Sequence, residues 1–269
     1  MKISVLLSLY TKESPAFLES CLESLFHQTY FPDEVVIVYD GPVRQELQDC
    51  VDKWSSKLPI KVVKLPNNVG LGKALNHGLE FCSHDIVFRM DTDDICHETR
   101  VEKQLSYLQN NPSIGLISST VGEFRDSIDE VHAFRKLPLT HSEIVRFAKK
   151  RNPFNHMAVA FRKDLVIAAG GYRSEYLYED YALWVRMLQN GVNTANLPET
   201  LVFARTGNGM LTRRSGFKYA KSEFAAQVGF YKSGYLSCYE LFRNLSVRLP
   251  LRLAPVSLLS FIYSNILRK

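Results

Sequence analysis

The run Glu34–Tyr39, EVVIVY, constrains this chain more than any other segment. It is too short for a helix, and Val35, Val36, Ile37 and Val38 are all β-branched. An apolar run that does not alternate with polar residues suits a strand buried on both faces, as in a parallel sheet covered by helices. Residues 3–9, 60–65 and 85–89 supply three more strand candidates. Between them the period changes. Leu18, Leu22 and Leu25 fall at i, i+4 and i+7 and predict a helix from about residue 16. Residues 43–56 and 70–81 read as helices, and Val101, Leu105 and Leu108 mark another that Asn110–Pro112 ends. Strand–helix alternation over the first 120 residues predicts an α/β fold, a doubly wound parallel sheet with right-handed crossovers. Beyond it, residues 115–137 look irregular and mostly extended, and 156–161 read as a strand. A short helix over 164–169 stops at Gly170–Gly171, and a longer one over 181–190 turns Trp184, Met187 and Leu188 inward.

A chain of 269 residues can bury one sizeable core. Apolar residues at 46% and charged residues at 23% exclude a disordered tail protein, a collagen-like fibre and a polytopic membrane protein. Five widely spaced cysteines with no CxxC pair argue against a disulfide framework or zinc module and for a reducing compartment. The apolar run at the N-terminus stops at Thr11 and Lys12, which suits a first strand of a cytoplasmic protein better than a secretory signal. The net charge of +5 is uneven: residues 213–269 hold ten Lys/Arg against Glu223 and Glu240, so this stretch carries +8 and the rest −3. Such a basic, apolar end predicts a tail that meets an anionic surface. Nucleic acid is not the expected partner, because no DNA- or RNA-binding motif accompanies the charge.

Asp91-Thr92-Asp93-Asp94 directly follows the strand that ends at Arg89. In extended backbone Asp91 and Asp93 point the same way, and ligands of open α/β sheets sit at the carboxyl ends of strands. Three carboxylates packed there repel one another unless a cation intervenes, and hard oxygen ligands suit Mg²⁺ or Mn²⁺. The plainer alternative is a solvated acidic turn with Asp94 capping the next helix. Asp40 ends the second strand, where a carboxylate can accept from a ribose hydroxyl or a base N–H, although Asp-Gly is also a common turn. Asn67-Asn68-Val69-Gly70-Leu71-Gly72 lacks both glycine-rich phosphate-loop spacings, so a turn into a helix is at least as good a reading. Glu179-Asp180 open the Trp184 helix, whose dipole lowers a carboxylate's pKa, so a base there needs partial burial to offset it. His156 is more often a satisfied core histidine than a ligand. Arg205, Asn208, Arg213 and Arg214 form either an anion-binding wall or a solvated loop.

Taken together, ISVLLSLY, EVVIVYDG, RMDTDD, NPFNH, YEDYALW and RTGNGMLTRR resemble glycosyltransferase family 2 with its nucleotide-sugar-binding GT-A fold, over about residues 3–214 and in the expected order. The combination is similar to the subgroup that builds bacterial O-antigens and exopolysaccharides, amylovoran-type transferases included. The resemblance implies a GT-A catalytic domain over residues 1–212 and a helical, basic, amphipathic extension over 213–269 that associates with a membrane. It implies that Asp40 contacts the uracil or ribose, that Tyr10 lines the nucleotide pocket, and that Asp91 and Asp93 match the family's DxD, Asp93 being the direct ligand of Mn²⁺ or Mg²⁺. Asp180 matches the general base, with Glu179 supporting it, while Arg205, Arg213 and Arg214 close over the diphosphate. His156 and Trp184 are candidates for the acceptor or donor pocket. Thr92 and Ala182 depart from the common pattern, as does SLY at the first strand.

The activity so implied is inverting transfer of a hexose from a nucleotide sugar, a UDP-sugar by preference, to a polyprenyl-diphosphate-linked saccharide. It would take place at the inner face of a bacterial cytoplasmic membrane. The uncharged stretch 253–267 is too short and polar to span a bilayer, but it can lie in the interface with Arg243, Arg248, Arg252, Arg268 and Lys269 toward anionic headgroups; the alternative is that the tail folds back and covers an apolar face of the catalytic domain. Two alternatives differ in class: a nucleotidyltransferase that makes the nucleotide sugar, and a catalytically idle assembly scaffold. The first wants a glycine-rich basic signature near the first strand, and the second needs none of Asp91, Asp93 and Asp180.

Overall fold

The apolar runs of the first half become strands buried on both faces. A computed structural model describes residues 1–207 and 216–254. In it β1 (Ile3–Leu9), β2 (Glu34–Tyr39), β3 (Ile60–Lys64) and β4 (Ile86–Arg89) run parallel, in spatial order β3-β2-β1-β4. Alternate side chains enter different cores. Val5, Leu7, Val35 and Ile37 pack with Leu18, Leu22, Leu47 and Val51 from α1 (Pro15–Phe26) and α2 (Gln45–Trp54). Leu6, Val36 and Val38 pack with Leu75 and Leu79 of α3 (Leu71–Phe81) and with Trp184 and Met187. At Gly78 of α3 an added Cβ would lie 2.5 Å from Val38 and 2.6 Å from Leu6, so the glycine lets the helix settle close onto the sheet.

The second half, irregular and mostly extended in the sequence, makes the sheet mixed. After the short β5 (Ile95–Cys96) and α4 (Arg100–Asn110) come the long β6 (Ile114–Phe124) and β7 (Ala133–Arg135). Helix α5 (His141–Ala148) precedes β8 (Ala160–Arg162), which is antiparallel to both β4 and β6. The thirteen-residue β9 (Asn193–Arg205) is parallel to β6 and antiparallel to β5. The order is therefore β3-β2-β1-β4-β8-β6-β9-β5, a mixed sheet. A polar sequence and Pro198 hide β9 in the primary structure. The ladder accommodates them by a bulge, its register passing from Ser119↔Leu197 to Thr120↔Thr200. Residues 156–158 are a 3₁₀ turn rather than the start of a strand, because the strand proper begins at Ala160.

Helices α6 (Lys163–Ala168) and α7 (Glu179–Gln189) lead to α8 (Phe217–Lys232) and α9 (Cys238–Leu253). Phe230, Tyr235 and Leu236 pack against Tyr181, Ala182 and Val185 of α7. Fully buried Glu223 pairs with Arg248 at 2.5 Å and Arg252 at 3.2 Å, and accepts the Tyr178 hydroxyl. Arg243 donates to the Lys149 carbonyl at 3.1 Å. This corrects the expected orientation of the tail: Arg243 faces the Lys149 carbonyl and Asn244, while Arg248 and Arg252 face Glu223, a buried carboxylate that would be costly to leave unpaired. Most of 253–267, with Arg268 and Lys269, lies outside the described residues. No helix among the described residues is long and apolar enough to cross a membrane.

Candidate active site

A cleft of about 750 Å³ opens where the parallel strands end. Tyr10 follows β1, Asp40 follows β2 and residues 91–94 follow β4, and all of them line the cleft. This is the crevice at the carboxyl ends of the strands.

Asp40 is buried, and both carboxylate oxygens accept loop amides, from Val69 at 2.6 Å and Gly70 at 3.0 Å. It thus pins the 67–70 turn beside the cleft while still bordering it. Gly41, at φ +85°, allows this: a Cβ there would lie 2.6 Å from the Asn68 nitrogen. The loop follows the turn-into-helix reading, and α3 starts immediately after Gly70.

The carboxylates of Asp91, Asp93 and Asp94 offer oxygens that all lie within 4.8 Å of one another. Asp91 is held by the guanidinium of Arg89, which is 1% exposed. One oxygen of Asp94 accepts the Arg205 amide at 2.9 Å, and the other is buried without a partner among the described residues. Burial and then the negative charge of Asp91 push the Asp93 carboxyl up to about 7, and the same two causes, with Asp93, raise Asp94. An unpartnered buried oxygen beside mutually repelling carboxylates is what a divalent cation site requires, and the donor set is the hard-oxygen type that takes Mg²⁺ or Mn²⁺. Thr92 turns away and donates to Glu13 at 2.7 Å.

Asp180, in the first turn of α7, lines the same cleft. Its oxygens accept from Asn152 Nδ2 and the Tyr181 amide, each at 2.6 Å. Burial raises its pKa against those two hydrogen bonds, the offset that a base at a helix N-terminus needs. Burial and then the neighbouring Asp180 charge push Glu179 up to about 7. Leu177, just before, has φ +64°, the one non-glycine residue at positive φ among the described residues. That strained position lies on the cleft wall.

His156 lines the cleft, with Nε2 3.0 Å from the Tyr172 hydroxyl, and burial holds its pKa well below the usual range, so the ring is neutral. Trp184 is a correction: it is fully buried beneath the cleft, its ring 6.0 Å from that of His156, because its large apolar surface is taken up by the α3–α7 core. Arg205 borders the cleft, but its guanidinium stacks on Phe17 at 4.0 Å and Phe124 at 4.5 Å and donates to the carbonyls of Asp93 and Arg125. Arg213 and Arg214 lie outside the described residues.

Sequence reasoning missed four contributors: Arg89, Asn152 and, from α9, Arg248 and Arg252, the last two lining the cleft as well as binding Glu223. Arg89 leaves a trace in the sequence, a lone charge in the apolar strand IVFR two residues from Asp91 and hence on its face. Asn152 leaves none.

The family model "Glycosyl transferase family 2" matches residues 4–168. An amylovoran biosynthesis glycosyltransferase of Erwinia amylovora is 45% identical over 267 residues, covering 97% of this chain and 98% of its own. A UDP-Gal:α-D-GlcNAc-diphosphoundecaprenol β-1,3-galactosyltransferase of Escherichia coli is 43% identical over 268 residues, covering 100% and 97%. Among solved structures, S. aureus TarS in complex with UDP-GlcNAc aligns over 98% of this chain and 74% of its own, with TM-score 0.68 and 19% identity. A Pyrobaculum calidifontis mannosyltransferase in complex with GDP-Man and Mn²⁺ aligns over 98% and 75%, with TM-score 0.69 and 16% identity.

Proposed function

The chain belongs to glycosyl transferase family 2 and has the GT-A fold, and from that premise we propose that it transfers a hexose, with inversion, from a UDP-sugar to a polyprenyl-diphosphate-linked saccharide of an O-antigen or exopolysaccharide. The observation that carries this reading is that one cleft is lined both by the 91–94 carboxylates, which would hold the cation, and by Asp180, which would act as the base. Donor and acceptor follow the E. coli relative, whose name specifies UDP-Gal and GlcNAc-diphosphoundecaprenol.

On this reading Asp180, held by Asn152 and the Tyr181 amide, takes the proton from an acceptor hydroxyl. The freed oxygen bonds to the anomeric carbon as the bond to the diphosphate oxygen breaks, and a single displacement inverts that carbon. Asp93, with Asp91 and Asp94 beside it, would hold the divalent cation, which supplies Lewis-acid neutralisation of the departing diphosphate. Tyr10 and Asp40 border the nucleotide end of the cleft, and Arg205 fixes the backbone around Asp93 and Asp94. The neutral His156 offers the sugar a hydrogen-bonding edge without charge.

The same reading has the enzyme working on the inner face of the cytoplasmic membrane. Phe217, Phe224 and Tyr231 recur every seven residues along α8, and Tyr239 and Phe242 stand out from α9, all of them exposed. Aromatic side chains left in solvent at helical spacing suit an interfacial surface. The test is transfer from radiolabelled UDP-galactose, UDP-glucose and UDP-N-acetylglucosamine, with Mn²⁺, to GlcNAc-diphosphate-lipid, the new linkage being assigned by NMR. A β-linked product from an α-linked donor is expected. Failure of every donor, or a retained α-linkage, overturns the reading.

A further inference from the structure

A second groove, of about 640 Å³, shares Tyr178 with the catalytic cleft. It runs between the 173–178 loop, α7 and α8, and its volume falls within the range of about 300–1,000 Å³ typical of ligand sites. Its lining is mainly apolar: Tyr176, Tyr178, Val185, Ala226, Gly229 and Phe230. Besides Arg186, three cations line it, Arg173, Lys218 and Lys221. Among the described residues none of the three forms a salt bridge, whereas the acid of the groove, Glu175, is already engaged with Arg186 at 2.6 Å. Lys218 Nζ stands 4.8 Å over the ring of Tyr176.

We infer that this groove binds the isoprenoid chain of a lipid-diphosphate acceptor, with Lys218 and Lys221 facing the phosphates. The inference rests on the acceptor class proposed above and names the surface that receives its lipid. An apolar trough with uncompensated cations at its mouth is complementary to an amphiphile with an anionic head. Its position selects which amphiphile: Tyr178 forms a wall of both cavities, and Glu179 and Asp180 follow it directly at the start of α7. A chain seated here has its head next to the base. Lys218, Ser222, Ala225 and Gly229 line the groove along one side of α8, while Phe217, Phe224 and Tyr231 are exposed on an adjacent one, so a lipid can pass from a bilayer into the groove along a single helix.

Gly229→Leu is the direct probe, because an added Cβ at Gly229 meets nothing within 4 Å and the larger side chain enters the groove without a clash at its base. Binding of farnesyl diphosphate, farnesol and laurate to the full chain is measured by calorimetry, with UDP binding as the check that each variant is folded. Wild type is expected to bind farnesyl diphosphate and Gly229→Leu to bind it about tenfold more weakly, the equivalent of losing one or two buried methylenes. Lys218→Glu/Lys221→Glu is expected to weaken farnesyl diphosphate but not farnesol. No binding by wild type, equal binding by Gly229→Leu, or laurate binding as tight as farnesyl diphosphate overturns the inference. Transfer to a GlcNAc-diphosphate lacking the chain separates it from the proposed activity. Gly229→Leu should match wild type there, and a wild type that transfers from no donor to GlcNAc-diphosphate-lipid yet binds farnesyl diphosphate in the groove refutes the activity and keeps the site.

Discussion

Arg89 shows at the scale of one side chain how the acidic cluster is made tolerable. Its guanidinium, buried at the end of β4, compensates Asp91, while burial and the Asp91 charge make ionisation of Asp93 and Asp94 costly. Arg89→Met should destabilise the fold by about 3 kcal/mol, as removing one partner of a buried ion pair does, and chemical denaturation measures it. Asp93→Ala, in contrast, relieves repulsion: unfolding should stay cooperative with a midpoint no lower than that of wild type, while Mn²⁺-dependent transfer is lost. Full turnover by that variant at ordinary Mn²⁺ concentrations would refute its role. Asp180→Asn should keep UDP-sugar affinity and lose about 10²–10⁴-fold in rate, since the Tyr181 amide can still donate to the oxygen of the new side chain but no base remains. Because burial raises the Asp180 pKa and the deprotonated form is the base, the wild-type rate should fall as pH falls, with a midpoint above the ordinary value of about 3.9. That Asp91 and Asp93 share one strand-end site was legible from position and spacing, whereas the role of Asp180 as the base entered only through the resemblance to the family. Arg89 left a trace two residues from Asp91, but Asn152 left none, because its part depends on meeting Asp180, 28 residues away.

Among the elements, β1 to β4 and α1 to α4 were legible because each carries its own period, whereas β9 and α5 were not. Helix α5 did leave a signal that went unread: Thr140-x-x-Glu143 is a capping-box pattern, and the Thr140 amide donates to Glu143 at 3.1 Å. The pairing of α8 with α9 depends on Glu223. Burial alone would raise its pKa, but Arg248 overcomes that and leaves it below the ordinary 4.5. A carboxylate depressed in the folded state adds stability above its unfolded pKa and loses it as pH falls through the folded value. Wild type should therefore lose stability more steeply than Glu223→Gln below about pH 4.5, and at neutral pH the variant should be the less stable by about 3 kcal/mol, because two arginines are left facing a neutral amide. Equal acid limbs would show that the pair does not hold the helices. Phe224→Ser with Phe242→Ser should reduce flotation with anionic liposomes while leaving transfer to a short-chain acceptor unchanged. Undiminished flotation would exclude these aromatics as the membrane face.

For the molecule as a whole, the site joins distant parts of the chain: the turn after β4 brings Asp91, Asp93 and Asp94, α7 brings Glu179 and Asp180, and α9 two of the wall arginines. Ligands that bridge these parts should stabilise all of them together. UDP with Mn²⁺ at about a hundredfold above its dissociation constant adds about 2.7 kcal/mol, a Tm rise of roughly 5–10 °C for a chain of this size. In Asp93→Ala the Mn²⁺-dependent part of that rise should vanish, which differential scanning calorimetry can measure. The primary structure by itself determined the parallel half of the sheet, the helices on its two faces, the acids at the strand ends and the family, because burial period and strand-end position are local properties of a sequence. Tertiary structure alone decided the rest. The second half depends on β9, whose polar, proline-bearing sequence becomes a strand between β6 and β5, and on β8, whose antiparallel pairing with β4 and β6 makes the sheet mixed. The inward turn of Arg248 and Arg252 depends on a carboxylate 25 and 29 residues away. An arginine reads the same in any sequence, and only the fold determines whether its nearest anion is a buried glutamate or a membrane surface.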